Sequence, residues 1–567
     1  MTEKIAILNQ TDSMPSTKEG AQQFLRKLKD SDFPDAMVKQ MSPQDILFAM
    51  DQADEEQLTD LLLLVSKEQF DSIIDLSCWD GYTPSIEKVE TLIAPLVATG
   101  LEGAMQALDK LENELKTLIL KNHITVYLRE DKDDDEPWVP DTSDFITTPD
   151  GFYFIEIPFA DDQTDVVKQL IQALLFKPFE EYHAEFQCVL HDLPSELEES
   201  ALRWREGRLG DLGFGTIEEG MALLSPIDPV TLQTELDKKI KESKIPHPLV
   251  TVGTLPAVYA ENFKGIDLLD QSLEILLKSN GKDVIARMEY LPAEITAMTN
   301  LFLTGIRCKM SSIDDVTKGT KLARNTLALG LNAIAGNSPR IGAKALTHLV
   351  PGQLIHGAMG LLMPLKKRAE TLLKSPSFEK GSRLDEYYQA ALKCLNSTVP
   401  GWWHKLEDES VLDGSFISPL DEEIEGISNI ETVKVIDNIL LEIESLEDIF
   451  TEKLNFDLEN YLKIEETLTV SSIIYNYLAN AYLTGEPLFE PLDKEDAENF
   501  AESFCDEKPD NALLQAINVL APITGISKEG TIDPFTEEDP AKRALLKVLK
   551  TGLELLNVDP LSFSILK

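Results

Sequence analysis

The sequence predicts a mainly α protein of stacked short helical hairpins, with an N-terminal superhelix and a small antiparallel β insertion. Three observations carry that expectation. A capped helical unit recurs at fixed spacing near the N-terminus. Apolar residues one helical turn apart recur through most of the remaining chain. Period-two alternation is confined to a stretch within residues 123–160.

The recurring unit begins at Ser42, Asp54 and Ser66, so the stretches from Ser42, Asp54 and Ser66 align without gaps at a spacing of 12 residues. Each opens on a residue whose side-chain oxygen accepts a free amide of the first helical turn. Three positions later stand Asp45, Gln57 and Gln69, placed to reach back as in a capping box, with Asp as the shorter variant. Pro43 takes the first helical position, where its missing N–H costs nothing. Behind the caps come Ile46 with Ala49 and Met50, Leu58 with Leu61 and Leu62, and Phe70 with Ile73 and Ile74. Each unit is therefore a helix of about two turns whose apolar stripe is too small to be buried alone, and stacking makes the core.

This string of short capped helices, from Asp35 to Leu120, resembles the N-terminal domain of MgtE-type magnesium transporters and is similar to the helical repeats of flagellar rotor-switch proteins. The resemblance implies a helical superhelix. The transporter's membrane spans are absent here and its magnesium ligands do not map position by position, so magnesium sensing is not implied. The whole chain more loosely resembles large, mainly helical bacterial proteins that carry such repeats. Ser77 to Asp80 and Arg203 to Leu209 carry that likeness, which implies no activity.

The rest of the organisation follows from breaks in the helical pattern. Residues 1–34 read as a leader and 35–122 as the superhelix, whose last part holds two longer helical patterns, Ser85 to Thr99 and Leu101 to Lys121. Residues 123–160 are the β insertion: Ile124 to Arg129 is β-like, Glu130 to Glu136 is a charged loop, and Phe145 to Thr148 and Gly151 to Ile157 flank the turn Pro149-Asp150-Gly151. Residues 161–228 form a helical segment broken near Pro178, Pro194 and the Gly210 to Gly215 turn. Pro226, Pro229, Pro246 and Pro248 mark a linker region, set at residues 229–264. A helical block at 265–374, a loop-rich segment at 375–429 and a C-terminal helical block at 430–567 complete the chain.

Charge and cysteine usage narrow the function class. The 567 residues carry 52 Lys+Arg against 99 Asp+Glu, a net charge of −47. Phosphate neutralisation needs a basic surplus, so neither a general nucleic-acid binder nor a binder of anionic lipid is expected. Cys78, Cys188, Cys308, Cys394 and Cys505 are dispersed and form no C-x-x-C, which reads as reduced thiols. The opening Met1 to Asp12 has too short an apolar run for a signal peptide. No apolar stretch reaches the roughly 18 residues of a spanning helix. The closest, Ile341 to Leu365, is interrupted by Lys344, His348, Pro351, Gln353 and His356 and reads as a buried helical hairpin. A cytoplasmic protein without stable membrane insertion is expected.

Candidate sites are sparse. The P-loop, G-x-S-x-G and H-E-x-x-H patterns are absent. Gly210, Gly213 and Gly215 follow a helix rather than a strand and read as a tight turn. Asp131 to Asp135 mimics the start of a calcium loop, but Glu136 stands where the glycine is needed and Thr142 where the final carboxylate is needed. Glu180, His183, Cys188 and His191 offer imidazole, thiolate and carboxylate for a Zn²⁺ or Fe²⁺ site, with Cys188 and His191 one turn apart, although partly buried, hydrogen-bonded side chains are the default reading. Arg203, Arg205 and Arg208, interleaved with Trp204, form a basic island suited to an anionic ligand or to ion pairs with Glu196, Glu198, Glu199 or Asp211. Trp402 and Trp403 would diverge by about 100° on a regular helix, so one ring is a candidate to contact another domain, a partner or a ligand, with burial between the helical blocks the favoured reading.

The expected function is a scaffold or regulatory adaptor. Its helical-repeat surface, with polar residues such as Glu55, Glu56 and Glu68, would meet a protein partner. No catalytic residue and no cofactor is expected. The alternative is an enzyme or a small-ligand or metal sensor using the arginine island or the His183/His191 helix. The sequence does not specify the oligomeric state.

Overall fold

The structure, a computed structural model, describes residues 17–129, 145–157, 162–246, 256, 259, 263, 265–310, 312–375, 377–378, 383–408, 419–420, 423–454, 469–505, 509–558 and 561. It is mainly α with a few short antiparallel strand pairs. The chain divides into two compact units, one of residues 1–223, 245–266 and 276–324, the other of residues 224–244, 267–275 and 325–567.

In the first unit the three repeats form the helices Pro43–Asp51, Glu55–Leu64 and Lys67–Ser77. Their caps are those the spacing predicts. Ser42, Asp54 and Ser66 accept the amides of Asp45, Gln57 and Gln69 at 3.1, 2.9 and 3.2 Å. Gln57 and Gln69 return the bond to the amides of Asp54 and Ser66, each at 3.1 Å, closing two capping boxes. In the first repeat the shorter Asp45 instead accepts the Ser42 hydroxyl at 2.9 Å. Gln69 does more: its amide donates to the carbonyls of Val38 and Met41 at 2.8 and 3.0 Å, tying the third repeat to the chain before the first. The stripes of Ile46, Ala49, Leu61, Leu62, Phe70, Ile73 and Ile74 merge into one continuous core.

A two-residue-strand hairpin follows, with Trp79 opposite Pro84 and Asp80 opposite Thr83. Gly81 makes the turn at φ +66°, a conformation that glycine adopts without strain. The pattern from Leu101 to Lys121 is two helices rather than one, Leu101–Lys110 and Asn113–His123. Between them Leu111 is extended and turned into the core. The β insertion forms the expected antiparallel sheet. Tyr153–Glu156 lies between Thr125–Leu128 and Phe145–Thr147, so Ile155 faces Val126 on one side and Ile146 on the other. Gly151, at φ +70°, completes the turn. The charged loop and the calcium-like stretch from Asp131 to Thr142 lie outside the described residues.

The helices Asp162–Leu175, Phe179–His191, Pro194–Asp211 and Ile217–Leu223 break at the expected prolines and glycines. Ile217–Leu223 packs on Lys282–Gly305 at a backbone crossing where Gly220 meets Gly305. A Cβ at Gly220 would lie 2.5 Å from the Gly305 nitrogen, so only glycine fits.

In the second unit, Pro229 does not mark a linker. It opens the helix Pro229–Lys241, whose Asp228 cap accepts the Val230 amide at 2.9 Å; proline at a first helical position starts a helix. The Ile341 to Leu365 stretch lies in two helices, Pro339–His348 and Pro351–Lys374, each packed against Pro229–Lys241. The expected loop-rich segment holds a helix, Glu386–Leu395, that buries Tyr387, Tyr388 and Leu392. Ile430–Asp448 packs on Pro540–Val558 around a buried charge cluster. There Glu442, 1% exposed, accepts from Lys547 at 3.0 Å, from Arg543 and from the Tyr388 hydroxyl at 3.1 Å. Burial pulls the Lys547 pKa down, opposed by Glu442. Among the described residues, no helix is long and apolar enough to cross a membrane.

Candidate functional site

A groove of about 1280 Å³ opens within the first unit, beside the last repeat helix. The hairpin and the Pro194–Asp211 helix build one part of its lining, and residues 303–310 another. The floor is apolar, with Leu47, Met50, Leu58, Phe214 and Met310.

Two arginines three residues apart on the Pro194–Asp211 helix share one face and tie this helix to the last repeat and the hairpin. Arg205 donates from Nε to the Asp75 carbonyl at 3.0 Å and from Nη1 to the Gly81 carbonyl at 3.1 Å. Its guanidinium carbon lies 4.7 Å from the centroid of the Trp79 ring, a cation–π contact. One side chain thereby holds the end of the last repeat and the hairpin turn.

Arg208 grips the Asp75 carboxylate with Nε and Nη2 at 2.7 and 2.9 Å and also pairs with Glu112. Burial disfavours its charge, but the hydrogen bonds and fields of Asp75 and Glu112 outweigh burial and raise its pKa. Burial raises the Asp75 pKa, with Arg208 opposing. Nearby, burial pushes Asp71 up to about 6 against the pull of Lys67 at 3.3 Å.

The remaining wall is polar. Tyr82 donates to Glu218 at 2.9 Å, and Lys88 pairs with Asp80. Arg307, a non-glycine residue at φ +55°, and Lys309 are exposed at the lining. Burial pushes the groove thiols up, Cys78 to about 11 and Cys308 to about 12. Both are protonated at neutral pH, so neither is an activated nucleophile.

The residues expected to carry a site divide sharply. Arg205 and Arg208 belong to the groove frame. Arg203 is exposed and pairs with Glu199 at 3.3 Å, as the sequence allowed, whereas the carboxylate partners of Arg208 are Asp75 and Glu112 and not the nearby acids. Trp204 is 59% exposed. Trp402 and Trp403 are buried, at 0 and 5% exposure, so neither ring is free for a partner. The expectation assumed a helix; Gly401–Trp402 is instead a strand paired with Glu425–Gly426. The Trp402 indole donates to Glu407 at 3.0 Å, and Lys405 lies over the Trp403 ring.

Glu180, His183, Cys188 and His191 share the helix Phe179–His191 without converging on a common point. His183 stacks on Phe179 and its Nδ1 bonds the Tyr153 hydroxyl at 2.7 Å. Glu180 and His191 are exposed, and burial together with Asp192 pushes the Cys188 thiol up to about 11. Among the described residues, no group of three His, Cys, Asp or Glu side chains is placed to hold a metal ion.

Trp79, Tyr82, Arg307 and Lys309 were not legible as site residues. The Asp80-Gly81 pair is a hairpin signal that points to Trp79 and Tyr82; nothing local points to Arg307 or Lys309.

Fold and groove together define a mainly α protein with capped N-terminal repeats and a groove whose lining mixes apolar, acidic and basic residues. The chain belongs to a family of unknown function, DUF6178, whose model matches residues 16–535. No curated protein and no solved structure matches it.

Proposed function

We propose that the protein is a non-catalytic adaptor that receives an extended segment of a protein partner in the groove beside its last repeat. The observation that supports this is the Arg205 clamp. It holds a hairpin carrying Trp79 and Tyr82 over an apolar floor, and aromatic and arginine side chains around an apolar centre are characteristic of protein-binding surfaces. The volume exceeds the several hundred Å³ of most small-molecule pockets. The likeness of the repeats to the flagellar-switch and MgtE-type helical domains, and of the chain to bacterial proteins with such repeats, accords with a binding role by analogy only. A reducing, cytoplasmic setting is part of this reading, since Cys78, Cys188, Cys308 and Cys394 are free thiols. A sensor of a small anionic ligand is the second reading, favoured by the half-buried Arg205 at the same groove.

Native mass spectrometry of protein purified gently from its own cells, paired with elemental analysis, tests the proposal. A second polypeptide that is lost from a Tyr82→Ala variant of unchanged helicity is expected. A stoichiometric small anion or metal in place of a polypeptide would contradict it.

A further inference from the structure

We infer that Lys110 is an acyl-acceptor site: its side-chain amine, tied by two hydrogen bonds to the end of the second repeat helix, takes a small acyl group from an activated donor, an acyl phosphate or an acyl thioester. The inference is independent of what the groove receives.

The geometry suits a neutral amine. Lys110 ends the helix Leu101–Lys110, and its Nζ donates to the Leu62 carbonyl and to the Leu63 carbonyl, the latter at 3.3 Å. Both carbonyls lie in the last turn of Glu55–Leu64, where the helix itself supplies no donor. An ammonium has three N–H donors; a neutral amine has two, with a lone pair in the third direction. The two carbonyls take two N–H groups, and among the described residues no third acceptor and no carboxylate in ion-pair range meets Nζ. Losing the proton therefore breaks no bond within the fold, and the lone pair it frees points away from both carbonyls.

Lys29, Lys67, Lys88 and Lys177 each pair with a carboxylate, whereas Lys110 has none. Burial, with no charge opposing it, lowers the Lys110 pKa to about 8. The residue is only half-buried and Leu63 beside it is 38% exposed, so a small donor can reach the amine.

In the transfer the lone pair attacks the acyl carbon. The N–C bond forms, and the bond from that carbon to the phosphate oxygen or the thiolate sulfur breaks. The leaving group departs with the electron pair, and the amine proton passes to water. The amide product keeps a single N–H, so one of the two carbonyls loses its donor. Lys67 donates to the Lys110 carbonyl at 2.9 Å, so the modification falls at a joint that ties Leu101–Lys110 to both the second and the third repeat.

Limited acetylation of the full-length protein tests this, with acetyl phosphate in one arm and the acetyl thioester of N-acetylcysteamine in the other. Mass spectrometry reads each lysine, and Lys39, exposed in the same unit, is the reference. At pH 7.5 about a quarter of a group titrating at about 8 is neutral, against about one part in a thousand for an ordinary lysine. Lower intrinsic nucleophilicity and partial burial offset part of that difference. Lys110 is expected to label about tenfold faster than Lys39 with at least one donor, and the arm that shows the excess names the donor class. The excess should disappear at pH ~10.5, where ordinary lysines also lose the proton. It should disappear as well in urea-unfolded protein, where the carbonyls no longer hold the amine. Labelling of Lys110 no faster than Lys39 in both arms, or an excess that persists at the higher pH or in urea, would overturn the inference.

Discussion

Arg208 holds Asp75 by two parallel N–H···O contacts, at 2.7 and 2.9 Å, across 133 positions of sequence, and Asp75 is 1% exposed. The pair joins the last repeat to the helix that carries Arg205, so the groove depends on it. Removing one member of a buried pair leaves the other charge without compensation, which costs about 3–5 kcal/mol. Arg208→Met should therefore lower the urea midpoint of the first unit strongly. Adding Asp75→Leu should restore much of the loss, because apolar replacement of both partners removes the stranded charge.

Asp71 makes the first unit sensitive to pH. Its side chain is 11% exposed and its pKa is pushed up to about 6 by burial. In the unfolded chain it titrates near ~4. A carboxyl with a raised folded value binds its proton more tightly in the fold. The stability it confers is complete below pH ~4 and is lost as pH rises through about 6. Asp71→Asn should stabilise the protein by about 1–3 kcal/mol at pH 7.5 and change little at pH 4. Thermal melts of the two proteins across that range give the difference.

The two complete capping boxes should not be equivalent. Gln57→Ala removes a cap contact worth a few tenths to one kcal/mol. Gln69→Ala also removes two hydrogen bonds to the Val38 and Met41 carbonyls, at about 1 kcal/mol each. The Gln69 variant should be less stable by roughly 2 kcal/mol in matched urea titrations.

Gly220→Ala should act on stability and binding together. Its methyl group would enter the Gly305 backbone at 2.5 Å, and overpacking of this kind costs about 1–3 kcal/mol. The displaced Ile217–Leu223 helix borders Thr216 and Ile217 of the groove lining. Co-purification of the bound polypeptide should fall even at temperatures where the variant remains folded.

What the sequence disclosed follows the range of the interactions. Caps at Ser42, Asp54 and Ser66 act over three residues, and the Gly151 turn acts over a few, so spacing alone located the repeats and the small sheet. Pro229 misled because the same residue ends one element and starts another, and only the Asp228 cap decides which. Burial of Trp402 and Trp403 agrees with the favoured reading, but the strand pair that seats them lies more than twenty positions away and was not legible locally. The groove was hidden for the same reason. Ser77 to Asp80 and Arg203 to Leu209 stood out separately, but the contacts that unite them, Arg205 to Gly81 and Arg208 to Asp75, span 124 and 133 positions.

The most direct measurement is hydrogen–deuterium exchange on the natively purified complex, before and after the bound polypeptide is stripped. The account predicts that the bound state gains protection at residues 76–82, 205–209 and 303–310, three of the stretches that line the groove. Protection confined to the outer faces of the repeats around Glu55, Glu56 and Glu68, or to the second unit, would contradict it.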